Sequence, residues 1–169
     1  MKQQTEYEAF QLEMAIQFAA NAFVGVLDKA GKPYILHCLK VMHLTKSDNM
    51  LTQAIAVLHD VKEDIYPLMY NEHFFHMMQS RGFDEYVING VLALSKVNGE
   101  TYEDFIDRII LTGDTELMKI KKADLRHNSD LRRIKNREVT EKDMLRTMKY
   151  IRAFLKLEDA IEGLEGLSR

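Results

Sequence analysis

Cysteine, proline and glycine are all scarce in this sequence of 169 residues. The single cysteine, Cys38, has no second thiol with which to form an intramolecular disulfide, which is typical of proteins from a reducing compartment. No apolar run approaches the roughly 18 residues of a membrane span, and the N-terminus lacks a basic start followed by an apolar stretch. We therefore expect a cytoplasmic protein that does not enter the membrane.

Charge and hydrophobicity are balanced as in an ordinary globular domain. Apolar residues make up 46% of the chain and charged residues 29%, and the formal net charge is -3. The length predicts one domain over residues 1–169. Because an acidic chain offers no global positive field to a polyanion, we do not expect nucleic acid as its partner.

The chain is rich in helix-forming residues and poor in helix-breaking ones. The chain has only two prolines and eight glycines, and it is rich in Met, Leu, Glu and Lys, which favours an all-α fold. In the first predicted helix, one buried stripe is expected to contain Phe10, Met14, Phe18 and Ala22. The predicted helices cover about 5–23, from 34 onward, 50–63, 70–80, 84–96, 102–111, 115–126 and 141–161.

The third predicted helix carries the first functional signal. Five apolar residues, AIAVL, directly precede His59 and Asp60, so every side of this helix is apolar and the helix should be buried. A buried His–Asp pair is costly unless something compensates it. A metal ion bound by both side chains would do so, and a partner Arg or Lys is the alternative.

Two acids follow this pair. Glu63 and Asp64 lie four residues after His59 and Asp60, one helical turn further along the same faces. If a metal ion is bound, these carboxylates are placed to orient or deprotonate a water molecule whose pKa the ion lowers. The spacing therefore favours hydrolysis.

Two further residues have similar partly apolar surroundings, namely His37 and Asp124. Each also has a simpler interpretation when it is taken alone. His37 could be a core histidine bonded to the backbone, and Asp124 could form a surface ion pair with Lys121 or Arg126.

Four sequence blocks, in order along about 15–150, resemble the HD-domain phosphohydrolases. The blocks are similar to those of the hydrolase domain of RelA/SpoT-type alarmone enzymes and their small stand-alone relatives. Residues 29–37 read KAGKPYILH against K-x-G-x-P-Y-I-x-H, and residues 58–64 read LHDVKED against L-H-D-x-x-E-D. ALSK at 93–96 is similar to A-L-T-K, and KKADLRHN at 121–128 resembles K-x-A-D-x-x-x-N.

The resemblance implies a single HD-domain helical bundle with one divalent metal ion, manganese by preference, with zinc, iron or cobalt as alternatives. It assigns the metal to His37, His59, Asp60 and Asp124, and catalysis to Glu63 and Asp64. It also implies substrate contacts from Lys29, Tyr34, Asn128, Arg146 and Tyr150. The lysine and the arginine are suited to phosphate oxygens.

The implied reaction is removal of the 3'-pyrophosphate from guanosine tetraphosphate or pentaphosphate, (p)ppGpp. The chain departs from the alarmone enzymes at Asp28, where they typically have an arginine before the first lysine. An acid there would repel a pyrophosphate group. This departure keeps open a deoxynucleotide, a nucleoside monophosphate or the 2'-phosphate of NADPH as the substrate, and a non-catalytic nucleotide-binding module is the other alternative.

Other candidate features favour structural roles. His43, His73 and His76 are interpreted as ordinary histidines, and Cys38 as a small buried residue. The basic segment 128–139 is interpreted as solvated surface. The expected partner is a small nucleotide, and a homo-oligomer is compatible with the sequence.

Overall fold

The structure, a computed structural model, describes residues 2–135 and 137–167 and is all-α, as predicted. Within these residues the only extended pairing is one isolated bridge between Leu27 and Pro33. The α-helices are α1 Lys2–Ala22, α2 Ile35–Thr45, α3 Met50–Leu58, α4 Asn71–Ser80, α5 Glu85–Leu94, α6 Tyr102–Leu111, α7 Thr115–Asn128 and α8 Glu141–Leu167. A π-helical turn, Val61–Ile65, follows α3, and a 3₁₀ turn, Leu131–Arg133, follows α7.

Helix α3 lies at the centre, as its uninterrupted apolar run predicted. Residues 54–58 are fully buried, and α3 packs against α1, α2, α5 and α7. Asn49 caps the helix by accepting hydrogen bonds from the backbone N–H groups of Leu51 and Thr52. The residues that follow α3 are therefore held at the middle of the fold.

The predicted end of this helix is wrong. The sequence predicted one helix to residue 63, but α3 ends at Leu58 and the backbone continues as the π-helical turn. A π turn spaces residues differently from an α-helix. Asp64 nevertheless keeps an α-type bond, since its backbone N–H donates to the carbonyl oxygen of Asp60 at 2.8 Å, and Glu63 and Asp64 face the same pocket as Asp60.

The predicted buried stripe of α1 is shifted by one residue. Phe10 is 54% exposed, whereas Gln11, Ala15, Ala19 and Phe23 are buried. Small alanines allow the α1 backbone to lie close to α3, whereas a row of large side chains would hold the two helices apart. Met14 and Phe18 of the predicted stripe are partly buried and pack against the core beside this contact.

The start of α8 was predicted correctly. Thr140 Oγ1 accepts a hydrogen bond from the backbone N–H of Asp143, and the Asp143 carboxylate accepts one from the Thr140 N–H. This reciprocal cap fixes the first turn of α8, which carries Arg146. Among the described helices, none is long and apolar enough to cross a membrane.

A close contact between α5 and α3 gives a test of this packing. A Cβ at Gly90 would lie 2.5 Å from Cδ1 and 2.9 Å from Cγ1 of the fully buried Ile55. We expect Gly90→Ala to lower the free energy of unfolding by about 1–3 kcal/mol through overpacking. Urea denaturation measures this change.

Gly163→Ala in α8 is the matched control, since nothing lies within 4 Å of that Cβ. We expect it to be neutral or to stabilise the protein by up to about 1 kcal/mol through helix propensity. Equal stability of both alanine variants would contradict the close packing of α5 on α3.

Candidate metal centre

Four ligand-type side chains meet where three segments converge. His37 comes from α2, His59 and Asp60 directly follow α3, and Asp124 comes from α7. One nitrogen or oxygen atom from each of the four lies within 4.8 Å of the others. The structure thus brings together all four residues that the sequence predicted as metal ligands.

The two histidines direct their Nε2 atoms at the two carboxylates. His59 Nε2 lies 2.9 Å from Asp60 Oδ2 and 3.7 Å from Asp124 Oδ1, and His37 Nε2 lies 3.2 Å and 3.4 Å from the same oxygens. Ligand atoms about 2.1 Å from one ion at tetrahedral angles are about 3.4 Å apart. Despite these short distances, neither Nε2 has a partner in hydrogen-bond geometry, and both are buried. A shared metal ion would satisfy both nitrogens.

The charge of the cluster also favours a cation. Burial disfavours a charged His59, but the carboxylates of Asp60 and Asp124 outweigh this effect and raise the pKa of His59 to about 10. Burial opposes ionisation of Asp60 as well, yet the neighbouring histidines hold the pKa of Asp60 well below its usual range. The centre therefore requires positive charge, which an imidazole proton or a divalent ion can supply.

Hydrogen bonds at the opposite ring nitrogens fix both histidines for metal binding. His59 Nδ1 lies 2.8 Å from the carbonyl oxygen of Ala56, to which it donates. His37 Nδ1 lies 2.6 Å from Nδ1 of His127, and the two rings are stacked. When both Nδ1 atoms carry the proton, both Nε2 atoms present a lone pair to the metal position.

His127 can accept this hydrogen bond only while it is neutral. Burial, Arg133 and His37 lower the pKa of His127 to about 4. His127 therefore acts on the centre through His37. Sequence reasoning missed it, although its position three residues after Asp124 places both on one face of α7.

Three further side chains hold the carboxylates. Tyr34 Oη donates to Asp60 Oδ2 at 2.7 Å, and Asn128 Nδ2 donates to Asp124 Oδ1 at 2.6 Å. Lys121 Nζ lies 2.9 Å from Asp124 Oδ2. The ion pair that the sequence offered as an alternative role for Asp124 thus forms, but it is part-buried and leaves Oδ1 facing the histidines.

The cluster opens into a pocket of about 360 Å³. Its volume lies within the roughly 300–1,000 Å³ of small-molecule sites. Glu63 and Asp64 line the pocket beside the cluster, and Glu63 Oε2 accepts a hydrogen bond from the Lys96 N–H at 3.1 Å. Desolvation and the nearby Asp60 raise the pKa of Asp64, which favours proton uptake there.

All five residues predicted as substrate contacts line this pocket: Lys29, Tyr34, Asn128, Arg146 and Tyr150. Two of them also form hydrogen bonds within the cluster, because Tyr34 donates to Asp60 and Asn128 donates to Asp124. The sequence did not reveal these bonds.

Two expectations about charge are corrected. The basic segment after α7 was interpreted as solvated surface, but Arg133 in it is part-buried and lines the pocket. Asp28 was expected to repel a pyrophosphate, but its Oδ2 accepts a 2.6 Å hydrogen bond from Arg133 Nη2. The negative charge of Asp28 is therefore paired with a positive charge at the same pocket.

The other histidines lie apart from this centre. His43, His73 and His76 are exposed. Across residues 2–135 and 137–167, the cluster above is the only group of this kind that could hold a metal ion.

Cys38 is buried, and burial raises the pKa of its thiol, which disfavours a nucleophilic thiolate.

No family model matches this chain. Among solved structures, it is similar to a metazoan ortholog of SpoT that hydrolyses ppGpp and plays a role in starvation responses. The match has a TM-score of 0.65 at 20% sequence identity, and it covers 91% of this chain and 86% of that chain. At this level of identity the likeness concerns the fold, and it confirms the helical fold that the resemblance of the four sequence blocks implied.

The role of His127 can be tested through metal affinity. We expect His127→Ala to weaken manganese or zinc binding about 10- to 100-fold, because His37 loses the acceptor that fixes its tautomer. Competition with a chelating indicator measures the affinity. His127→Asn, which retains an acceptor, should recover part of the loss.

His43→Ala removes an exposed histidine from α2 and serves as the control, with unchanged affinity expected. Wild-type affinity in His127→Ala would contradict the proposed orientation of His37.

Proposed function

We propose that this protein is a metal-dependent phosphohydrolase that removes the 3'-pyrophosphate of (p)ppGpp. The observation that carries the proposal is the pair of buried, unpartnered Nε2 atoms facing two carboxylates at a pocket that also contains acids and cations. Hydrolysis of a phosphate ester needs a bound cation, a proton acceptor and groups that bind phosphate oxygens. The fold likeness to a protein that hydrolyses ppGpp supports this choice of reaction.

His37, His59, Asp60 and Asp124 would hold one divalent ion, with manganese as our first choice. Imidazole and carboxylate ligands also suit zinc, iron and cobalt. When bound, such an ion supplies Lewis acidity that lowers the pKa of water and polarises the phosphoryl group.

Asp64 would accept a proton during hydrolysis, and Glu63 would orient the attacking water. Asp64 has a raised pKa, so it takes up a proton more readily than an ordinary aspartate and is suited to accept one from the attacking water. The backbone N–H of Lys96 holds the carboxylate of Glu63, which is suited to orient that water. The proton then passes to the leaving group.

The substrate would lie between this machinery and the positively charged rim of the pocket. Lys29 and Arg146 would bind phosphate oxygens, and Arg146 is held for this role by a 2.6 Å ion pair with Asp143. Tyr150 would contact the substrate at the same rim, and Tyr34 and Asn128 would do so while they hold the metal ligands.

We further propose that the protein functions in the cytoplasm, where its single buried Cys38 would stay reduced. A homo-oligomer is compatible with this function, since the pocket is built from one chain.

Removing a metal ligand should abolish metal binding and activity together. We expect Asp60→Ala, purified with manganese, to lose the bound ion and hydrolysis of (p)ppGpp. His59→Ala should behave alike, whereas His73→Ala removes an exposed histidine from α4 and should retain both properties. Metal analysis by mass spectrometry and pyrophosphate release measure the two quantities. Turnover by a metal-free Asp60→Ala protein would refute the mechanism.

Glu63→Gln should separate binding from chemistry. The amide still reaches the pocket but cannot orient the attacking water as the carboxylate would, so we expect metal content to persist while kcat falls about 100-fold or more. The exposed Glu72→Gln is the matched control. Full turnover in Glu63→Gln would remove Glu63 from the catalytic group.

The substrate is identified by a panel assay. The manganese-loaded protein is incubated with (p)ppGpp, deoxynucleotides, nucleoside monophosphates and NADPH, and released pyrophosphate and phosphate are measured. We expect pyrophosphate from (p)ppGpp. Preferred release of phosphate from another compound would replace the proposed substrate while the hydrolase class stands.

A further inference from the structure

The segment after α7 folds back over the pocket and brings in a cation that lies outside the four sequence blocks. Arg133 ends the 3₁₀ turn Leu131–Arg133, and its Nη1 donates to the carbonyl oxygen of His127 at 3.0 Å. The same nitrogen lies 3.4 Å from Asn128 Oδ1, and Nη2 donates to Asp28 Oδ2 at 2.6 Å. These bonds fix the direction of the guanidinium group.

Asp28 is itself rigidly held. Its Oδ1 accepts hydrogen bonds of 2.9 Å from the backbone N–H groups of Ala30 and Lys32, so only Oδ2 is directed at Arg133. Its side chain is 8% exposed. A nearly buried acid that bonds both its own loop and an arginine 105 residues away is an anchor for that arginine.

Five cations line the same pocket, namely Lys29, Lys96, Lys121, Arg133 and Arg146, of which Lys121 is paired with Asp124. Burial lowers the pKa of Lys29, and the charges of Arg146 and Arg133 lower it further. The positive charges of Arg146 and Arg133 thus act on Lys29, while the negative charges of Asp143 and Asp124 oppose them. A guanidinium has five N–H donors, and the bonds of Arg133 within the protein use only some of them.

We infer that Arg133, oriented by Asp28, binds phosphate oxygens together with Lys29 and Arg146, so that the pocket selects a pyrophosphate group over a single phosphate. The inference rests on the proposed function and identifies a specificity-determining residue for it. Several fixed cations stabilise the higher charge of a pyrophosphate more than that of one phosphate. Asp28 then acts as a positioning residue and not as a repulsive charge.

The two roles of Asp28 predict opposite effects for Asp28→Asn. If Asp28 only repelled the anion, the neutral amide would strengthen pyrophosphate binding. If Asp28 orients Arg133, the same change weakens binding, even though it removes a negative charge from the pocket. We expect about 3- to 10-fold weaker binding, the equivalent of about one hydrogen bond.

The experiment titrates the protein as purified with inorganic pyrophosphate and, separately, with inorganic phosphate by calorimetry. We expect Arg133→Ala to weaken pyrophosphate binding about 10- to 100-fold, the loss of a charge-assisted contact, and to affect phosphate less. Arg133→Lys should give an intermediate loss, because it keeps the charge without the planar fork. In the hydrolysis assay, the same variants should raise KM more than they lower kcat.

Lys135→Ala is the matched control, because Lys135 is an exposed cation on the same segment and lies outside the pocket. Circular dichroism verifies that each variant is folded. If Arg133→Ala does not fold, Arg133→Lys still tests the inference. Pyrophosphate binding by Arg133→Ala equal to that of Lys135→Ala would overturn the inference. So would tighter binding by Asp28→Asn, or equal losses for phosphate and pyrophosphate.

The binding measurement needs no turnover, so it separates this inference from the proposed function. Pyrophosphate binding that depends on Arg133, in a protein that hydrolyses no (p)ppGpp, supports the inference and refutes the function. Normal hydrolysis of (p)ppGpp by Arg133→Ala, with unchanged KM, refutes the inference and leaves the function intact.

Discussion

Two imidazole nitrogens and two carboxylates are buried together, and this arrangement is costly unless positive charge joins them. His37 and His59 each keep an Nε2 without a hydrogen-bond partner at this point, while their other ring nitrogens are fixed by His127 and a backbone carbonyl. Helix α2, the end of α3 and α7 converge here, and a bound cation would offset the cost of burying these groups. The pocket, its acids and its cations are all arranged around this centre.

A rigid backbone holds the centre in place. Helix α3 is buried along residues 54–58 and contacts α5 so closely that Gly90 has no room for a side chain beside Ile55. Because interiors are close-packed, the residues that follow α3 have little freedom to move. The π-helical turn then directs Glu63 and Asp64 into the pocket from the same segment that supplies His59 and Asp60 of the cluster.

Acids at the rim of the pocket hold arginines in place. Asp143 anchors Arg146, and Asp28 anchors Arg133. A side chain fixed before the ligand arrives loses less entropy on binding, so such pairs favour binding of phosphate oxygens. An acidic residue in such a pocket therefore does not argue against an anionic ligand when it is paired with an arginine.

The helical fold, the buried third helix and the four residues of the His–Asp cluster were all predicted from the sequence alone. These features depend on composition, one apolar run and four short sequence blocks. Each of these involves residues that are adjacent in the chain, so it can be recognised without the fold. The buried stripe of α1, the end of α3, the His127–His37 bond and the Asp28–Arg133 pair became visible only in the folded chain. Except for the end of α3, each depends on a contact between segments distant in the chain, up to 105 residues apart for Asp28 and Arg133, about which the spacing within one helix carries no information.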